Sequence, residues 1–127
     1  MPTIVHFDIA SEDVPRAQKF YRDLLDWDFV SPPGMEGVYS LFETKGLDGK
    51  PGVPGGLGKR GEPSQRITVY FGVASVDEYM AKVVKAGGKV TSPKMPVPGF
   101  GYLVTCTDTE GNAFGLWQED RGAKPAD

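Results

Sequence analysis

His6 is the only histidine in the chain, and Asp8 stands two residues after it. In an extended segment, residues i and i+2 project from the same face. An imidazole and a carboxylate would then meet. Such a pair can act as a general base, its proton affinity set by burial and by the neighbouring charge. The simpler role is structural: His6 hydrogen-bonds a neighbour such as Asp8 or Tyr70 and leaves no buried polar group unsatisfied. A single imidazole does not hold a divalent ion tightly; further donors would have to come from Asp8, Glu43 or Gln118. Cys106 is the lone cysteine, and neither a base nor a helix N-terminus is expected beside it, so it reads as a buried bystander. Tyr39, Tyr70 and Tyr102 carry hydroxyls that could be offered to a ligand, but on predicted strands aromatic side chains serve more often as core. The glycine-rich stretch 46–61 has no G-K-[ST] and no helix after it, which excludes a phosphate-binding loop.

The pattern of apolar residues says which elements position these groups. Thr3 to Ala10 alternates, with Val5, Phe7 and Ile9 on one face and His6, Asp8 and Ala10 on the other. Asp13 is placed to cap a helix and Pro15 to sit in its first turn. Val14, Ala17, Phe20, Tyr21, Leu24 and Leu25 follow at helical spacing and predict one buried face. Strands are expected at Trp27–Val30, Gly37–Thr44 and about Val53–Gly58. The order then restarts: a strand over Arg66–Ala74, a helix from Val76 to Ala86 stopped by Gly87-Gly88, a short strand at Lys89–Ser92, a loop over Pro93–Gly99, and a hairpin of Gly101–Thr107 with Ala113–Gln118. The run Val5–Asp13 is echoed by Val69–Asp77, and both runs end a strand and open a helix. The fold class expected is α+β, with βαβββ occurring twice in tandem. A single domain over 1–127 would comprise a first module of about 3–60, a second of about 66–118, and a polar tail at 119–127.

Composition narrows the function classes. Hydrophobic residues make up 39% and charged residues 24%, the balance of one globular domain. A net charge of −3 with no basic block gives no reason to expect a nucleic-acid partner. No apolar stretch is long enough to span a membrane. The start has no basic region followed by an apolar one, so no secretory signal is expected. A lone cysteine, which can form no intrachain disulfide, suits a reducing compartment, and a cytoplasmic location is expected.

Several segments together resemble the glyoxalase and bleomycin-resistance group, the vicinal-oxygen-chelate superfamily. His6-Phe7-Asp8-Ile9, Glu12-Asp13, Arg16-Ala17, Phe20-Tyr21 and Leu25-Asp26-Trp27 resemble its opening module, with Asp26 where glycine is usual. Asp108-Thr109-Glu110-Gly111-Asn112-Ala113-Phe114-Gly115-Leu116 resembles its terminal hairpin, with Thr109 in place of proline. The resemblance implies a curved eight-stranded mixed sheet around a cavity for a small-molecule ligand, and commonly a homodimer. It also implies one divalent ion (Zn, Ni, Mn or Fe), held by three or four ligands, which polarises vicinal oxygens of the substrate. Carried over position by position, the ligands fall on His6, on Gly55 or Gly56, on Thr68 or Tyr70, and on Gly115. One of the four is a ligand type, so no tightly held metal is expected. His6, Asp8, Gly56, Thr68, Tyr70, Gly115 and Trp117 are the expected pocket residues, and His6 and Asp8 the candidates for catalysis.

Glycines facing a cavity would open room beside the backbone for a bulky or flat ligand. The segment Pro93–Gly101, with Met95 and Phe100, is a candidate lid. The reading that follows is a small-organic-molecule binding protein without a tightly bound metal. Its alternatives are a metal-dependent lyase, isomerase or dioxygenase with a rearranged site, a metal-free enzyme using His6 and Asp8, and a dimeric interaction module with a vestigial cavity.

Overall fold

The computed structural model describes residues 1–125; the last two residues of the predicted polar tail, 126 and 127, lie outside the described residues. The chain forms two compact units, one of His6–Thr68 and one of Met1–Val5 with the chain from Val69 onward.

The His6–Thr68 unit is built on most of β1 (Thr3–Ser11), then α1 (Val14–Leu25), β2 (Tyr39–Phe42) and β3 (Gly55–Lys59). β3 lies parallel to β1 and antiparallel to β2. Alternation along β1 sends Phe7 and Ile9 into a core with Val14, Phe42 and Leu57, which leaves His6 and Asp8 on the opposite face. Asp13 caps α1 as expected, its carboxylate accepting the Arg16 backbone N–H at 3.0 Å. The helix ends on Asp26 at φ 60°, the left-handed conformation that explains why glycine is usual there and why aspartate is tolerated. Gln18 donates to the buried Ser40 hydroxyl at 3.0 Å and ties α1 to β2.

Two expectations change in this unit. The buried stripe of α1 is narrow, formed by Val14, Ala17 and Tyr21, while Phe20, Leu24 and Leu25 are exposed. Trp27–Val30 is not a strand; it makes one bridge, Val30 to Leu41. Its alternation reflects aromatic packing instead. Trp27 stacks on Phe42 with ring centroids 4.3 Å apart, and Phe29 meets the same ring edge-on at 5.5 Å. Trp27 is therefore a core residue.

The second unit carries most of β4 (Ile67–Gly72), then α2 (Val76–Lys85), β5 (Lys89–Val90), β6 (Met95–Val97), β7 (Gly101–Thr107) and β8 (Ala113–Glu119). β8 is parallel to β4 and antiparallel to β7, and both β5 and β6 pair antiparallel with β7. Ser75 caps α2 by accepting from the Glu78 N–H at 3.1 Å. The Gln118 side chain accepts the Val76 N–H at 3.0 Å, so β8 supplies a second cap. Gly87, at φ 98°, ends the helix. Val73, Val76, Val104, Cys106 and Leu116 form the core. The stretch read as a loop and candidate lid contains β6, whose residues Met95, Pro96 and Val97 pair with Leu103, Tyr102 and Gly101. Backbone hydrogen bonding holds it in place, and Phe100 stands exposed. The class is α+β, with eight strands in mixed pairing among the described residues, as expected. The missing strand at Trp27–Val30 is made up by β6. Among the described residues no helix is long and apolar enough to cross a membrane.

The β7–β8 turn is closed by one carboxylate. Asp108 accepts from the backbone N–H groups of Glu110 and Asn112 at 2.8 and 2.9 Å, and from the Asn112 side chain at 3.0 Å. The bonds from Asn112, then that from Glu110, hold its acidity below the usual carboxylate range. A depressed folded-state pKa stabilises above the unfolded value and is lost as pH falls through the folded one. Asp108→Ala is therefore expected to lower the thermal midpoint at pH 7, with a gap from the parent that begins to narrow only as pH falls to the ordinary carboxylate value of about 4 and closes below the still lower folded value, as a pH series of melts would show. A gap that persists unchanged in acid would contradict this origin.

Candidate functional site

Strand β1 brings His6 and Asp8 together. The His6 Nε2–H donates to Asp8 Oδ1 at 2.8 Å, and both side chains are about a quarter exposed, 27% and 28%. This bond places the imidazole proton on Nε2. Tyr39 of β2 joins them: its hydroxyl donates to the same Asp8 oxygen at 2.9 Å and lies 3.5 Å from His6 Nε2. The result is an imidazole, a carboxylate and a phenol in one hydrogen-bonded cluster, with groups able to give and accept protons.

The sequence of β3 makes room for the phenol. Gly56, Leu57 and Gly58 alternate, so Leu57 enters the core while the two glycines share the other face. A Cβ on Gly58 would stand 2.8 Å from Tyr39 Cδ1, and a Cβ on Gly56 would overlap the Tyr39 hydroxyl and approach Asp8 Oδ1 to 2.6 Å. The Tyr39 ring thus lies along a strip of bare backbone. The room beside Gly56 that was expected to admit a ligand is filled by this chain's own side chain. Sequence reading treated Tyr39 as core and missed it as a member of the cluster. A bulky aromatic near a strand with glycine at alternate positions was the available signal, but the strand register was not.

The other expected residues are placed as follows. Thr68 is buried at the start of β4 and shares a strand face with Tyr70, two residues on. In the second unit, Tyr70 and Gly115 are direct partners of β4 and β8, and a Cβ on Gly115 would overlap the Tyr70 ring. Gly115 is again a seat for a tyrosine. Trp117 is half-buried, and its ring occupies the space a Cβ on Gly101 would need. Cys106 is fully buried, and burial pushes its thiol above its ordinary value, so the group is protonated and inert.

Known proteins share this chain's sequence pattern and its fold. The glyoxalase-like domain family matches residues 4–117. The chain belongs to that family. Curated relatives are the proteins named CFP32, provisionally glyoxylases, of Mycobacterium bovis and Mycobacterium tuberculosis; each is 33% identical over 122 residues, 90% of this chain and 44% of the relative. The chain thus spans under half the length of these relatives. Among solved structures, a Streptomyces coelicolor methylmalonyl-CoA epimerase variant, in complex with 2-nitronate-propionyl-CoA, superimposes with a TM-score of 0.64 at 19% identity, over 97% of this chain and 98% of its own. A glyoxalase/bleomycin resistance protein/dioxygenase superfamily member from Vibrio splendidus gives 0.65 at 15% identity, over 94% and 100%. The chain is a glyoxalase-like protein of the vicinal-oxygen-chelate superfamily.

The divalent ion that the superfamily implies does not fit the residues present. Among the described residues no three His, Cys, Asp or Glu side chains converge on one point. Two of the positions carried over are glycines, and the space beside each holds a tyrosine ring or hydroxyl of this glyoxalase-like chain. His6 and Asp8, which could contribute to a site, are bonded to each other.

Proposed function

We propose that this glyoxalase-like protein binds a small organic molecule through the His6–Asp8–Tyr39 cluster and holds no tightly bound metal. The observation that carries the reading is the hydrogen-bonded cluster itself, with a phenol seated over Gly56 and Gly58. Partly exposed polar groups already oriented by one another are suited to fix the polar end of a ligand. The ligand complex of the epimerase neighbour supports the fold as a holder of small organic molecules. Tyr70 and Trp117 are candidate ligand contacts of their own unit. A second reading, proton transfer by His6 with Asp8 as its partner, is favoured by the 2.8 Å bond between them. We also place the protein in the cytoplasm as a homodimer. The exposed Phe20, Leu24 and Leu25 flank of α1 supports self-association, and a lone buried thiol suits a reducing compartment.

A ligand-observed NMR screen of small aromatic and carboxylic compounds, run on the parent and on His6→Ala, tests the first reading. Compounds that bind the parent are expected to weaken at least about tenfold in the variant, the loss typical of a hydrogen bond to a charged partner. Binding that is unaffected by the loss of His6 would place the ligand elsewhere.

A further inference from the structure

The misfit to a metal has a specific structural cause. We infer that Tyr39 has taken the place of the second metal ligand, so that a chelating position has become a hydrogen-bonding one. This rests on the metal-independent reading proposed above and deepens it. In the parallel pairing of β1 with β3, Gly56 is the direct partner of Asp8. A Glu or His at position 56 would therefore emerge beside Asp8, on the face that also bears His6. Together with His6 and Asp8, such a side chain would make a three-donor set of the kind that holds divalent first-row ions. In this chain the volume needed by that side chain belongs to Tyr39.

The exchange involves two glycines. Tyr39 pairs with Gly58 and Leu41 with Gly56 in the β2–β3 register, so Tyr39 reaches Gly56 diagonally, as long side chains do between strands. Its ring crosses Gly58 and its hydroxyl arrives over Gly56 to donate to Asp8. A side chain at either glycine would displace the ring. The cluster now uses His6 and Asp8 as partners of each other and of the phenol. An ion entering here would have to break those hydrogen bonds and find a third donor where the phenol stands.

Calorimetric titration with Ni²⁺ and, separately, Mn²⁺ tests the exchange on the parent, on Gly56→Glu, and on Gly56→Glu combined with Tyr39→Ala, each checked for a cooperative thermal transition. Uptake of one equivalent is expected only in the double variant. One equivalent bound by Gly56→Glu with Tyr39 in place, or none bound by the folded double variant, would overturn the exchange and leave the metal independence of the parent standing. One equivalent bound tightly by the parent would overturn both. Should the double variant lose its transition, Tyr39→Phe decides. Removal of the hydroxyl alone is expected to shift the His6 ring ¹⁵N resonances, and resonances that stay in place would overturn the exchange.

Discussion

Leu57→Ala is expected to lower stability by about 2–5 kcal/mol, the range for truncating a fully buried leucine. Leu57 has no exposed surface and packs with Ile9, Val14 and Phe42. It also lies between Gly56 and Gly58 on β3, so the residue that anchors the strand in the core sets the height of the backbone under Tyr39. A smaller side chain would leave a cavity on one face and loosen the seat of the phenol on the other. Urea unfolding measures the loss. A cost under about 1 kcal/mol would mean that the site collapses readily around the gap and that β3 is held by its neighbours alone.

Gly56→Ala is expected to cost about 1–3 kcal/mol through overpacking, because the added methyl meets the Tyr39 hydroxyl and Asp8 Oδ1. The larger share of the cost should depend on tyrosine at position 39, whose hydroxyl comes nearer to the methyl than Asp8 Oδ1 does. In a double-mutant cycle with Tyr39→Ala, the two changes are expected to couple by about 0.5–3 kcal/mol, the size found for residues in contact. The sign is set by the geometry: alanine at 56 should be less harmful once the ring is gone. Strict additivity in urea unfolding would show that the methyl acts on Asp8 or on β3 itself and that Tyr39 does not depend on the bare backbone.

The parts of the fold that were legible in the sequence are those decided locally. The Asp13 cap, the Pro15 start, the Gly87 stop and the β7–β8 hairpin are set by residues within a few positions of one another. The His6–Asp8 pair was legible because the two residues share one strand face. Tyr39 was not, because its role depends on the offset of β2 against β3, and nothing local to either strand states that register. For the same reason Gly56 and Gly115 read as openings, when each is a seat for a tyrosine from another strand. Trp27–Val30 misled because an aromatic cluster alternates as a strand does. Met95–Val97 was hidden by prolines that signal a loop, although Pro96 sits within a strand paired only to β7 among the described residues.

The measurement that bears most directly on the central claim is the metal content of the native protein, purified without chelators from cells grown with added Mn, Fe, Ni and Zn, beside the His6→Ala variant. The cluster of His6, Asp8 and Tyr39 predicts that elemental analysis finds far less than one equivalent of any of these metals in either protein. Near-stoichiometric metal in the parent that disappears with His6 would contradict it and show a rebuilt metal site in place of the hydrogen-bonded one.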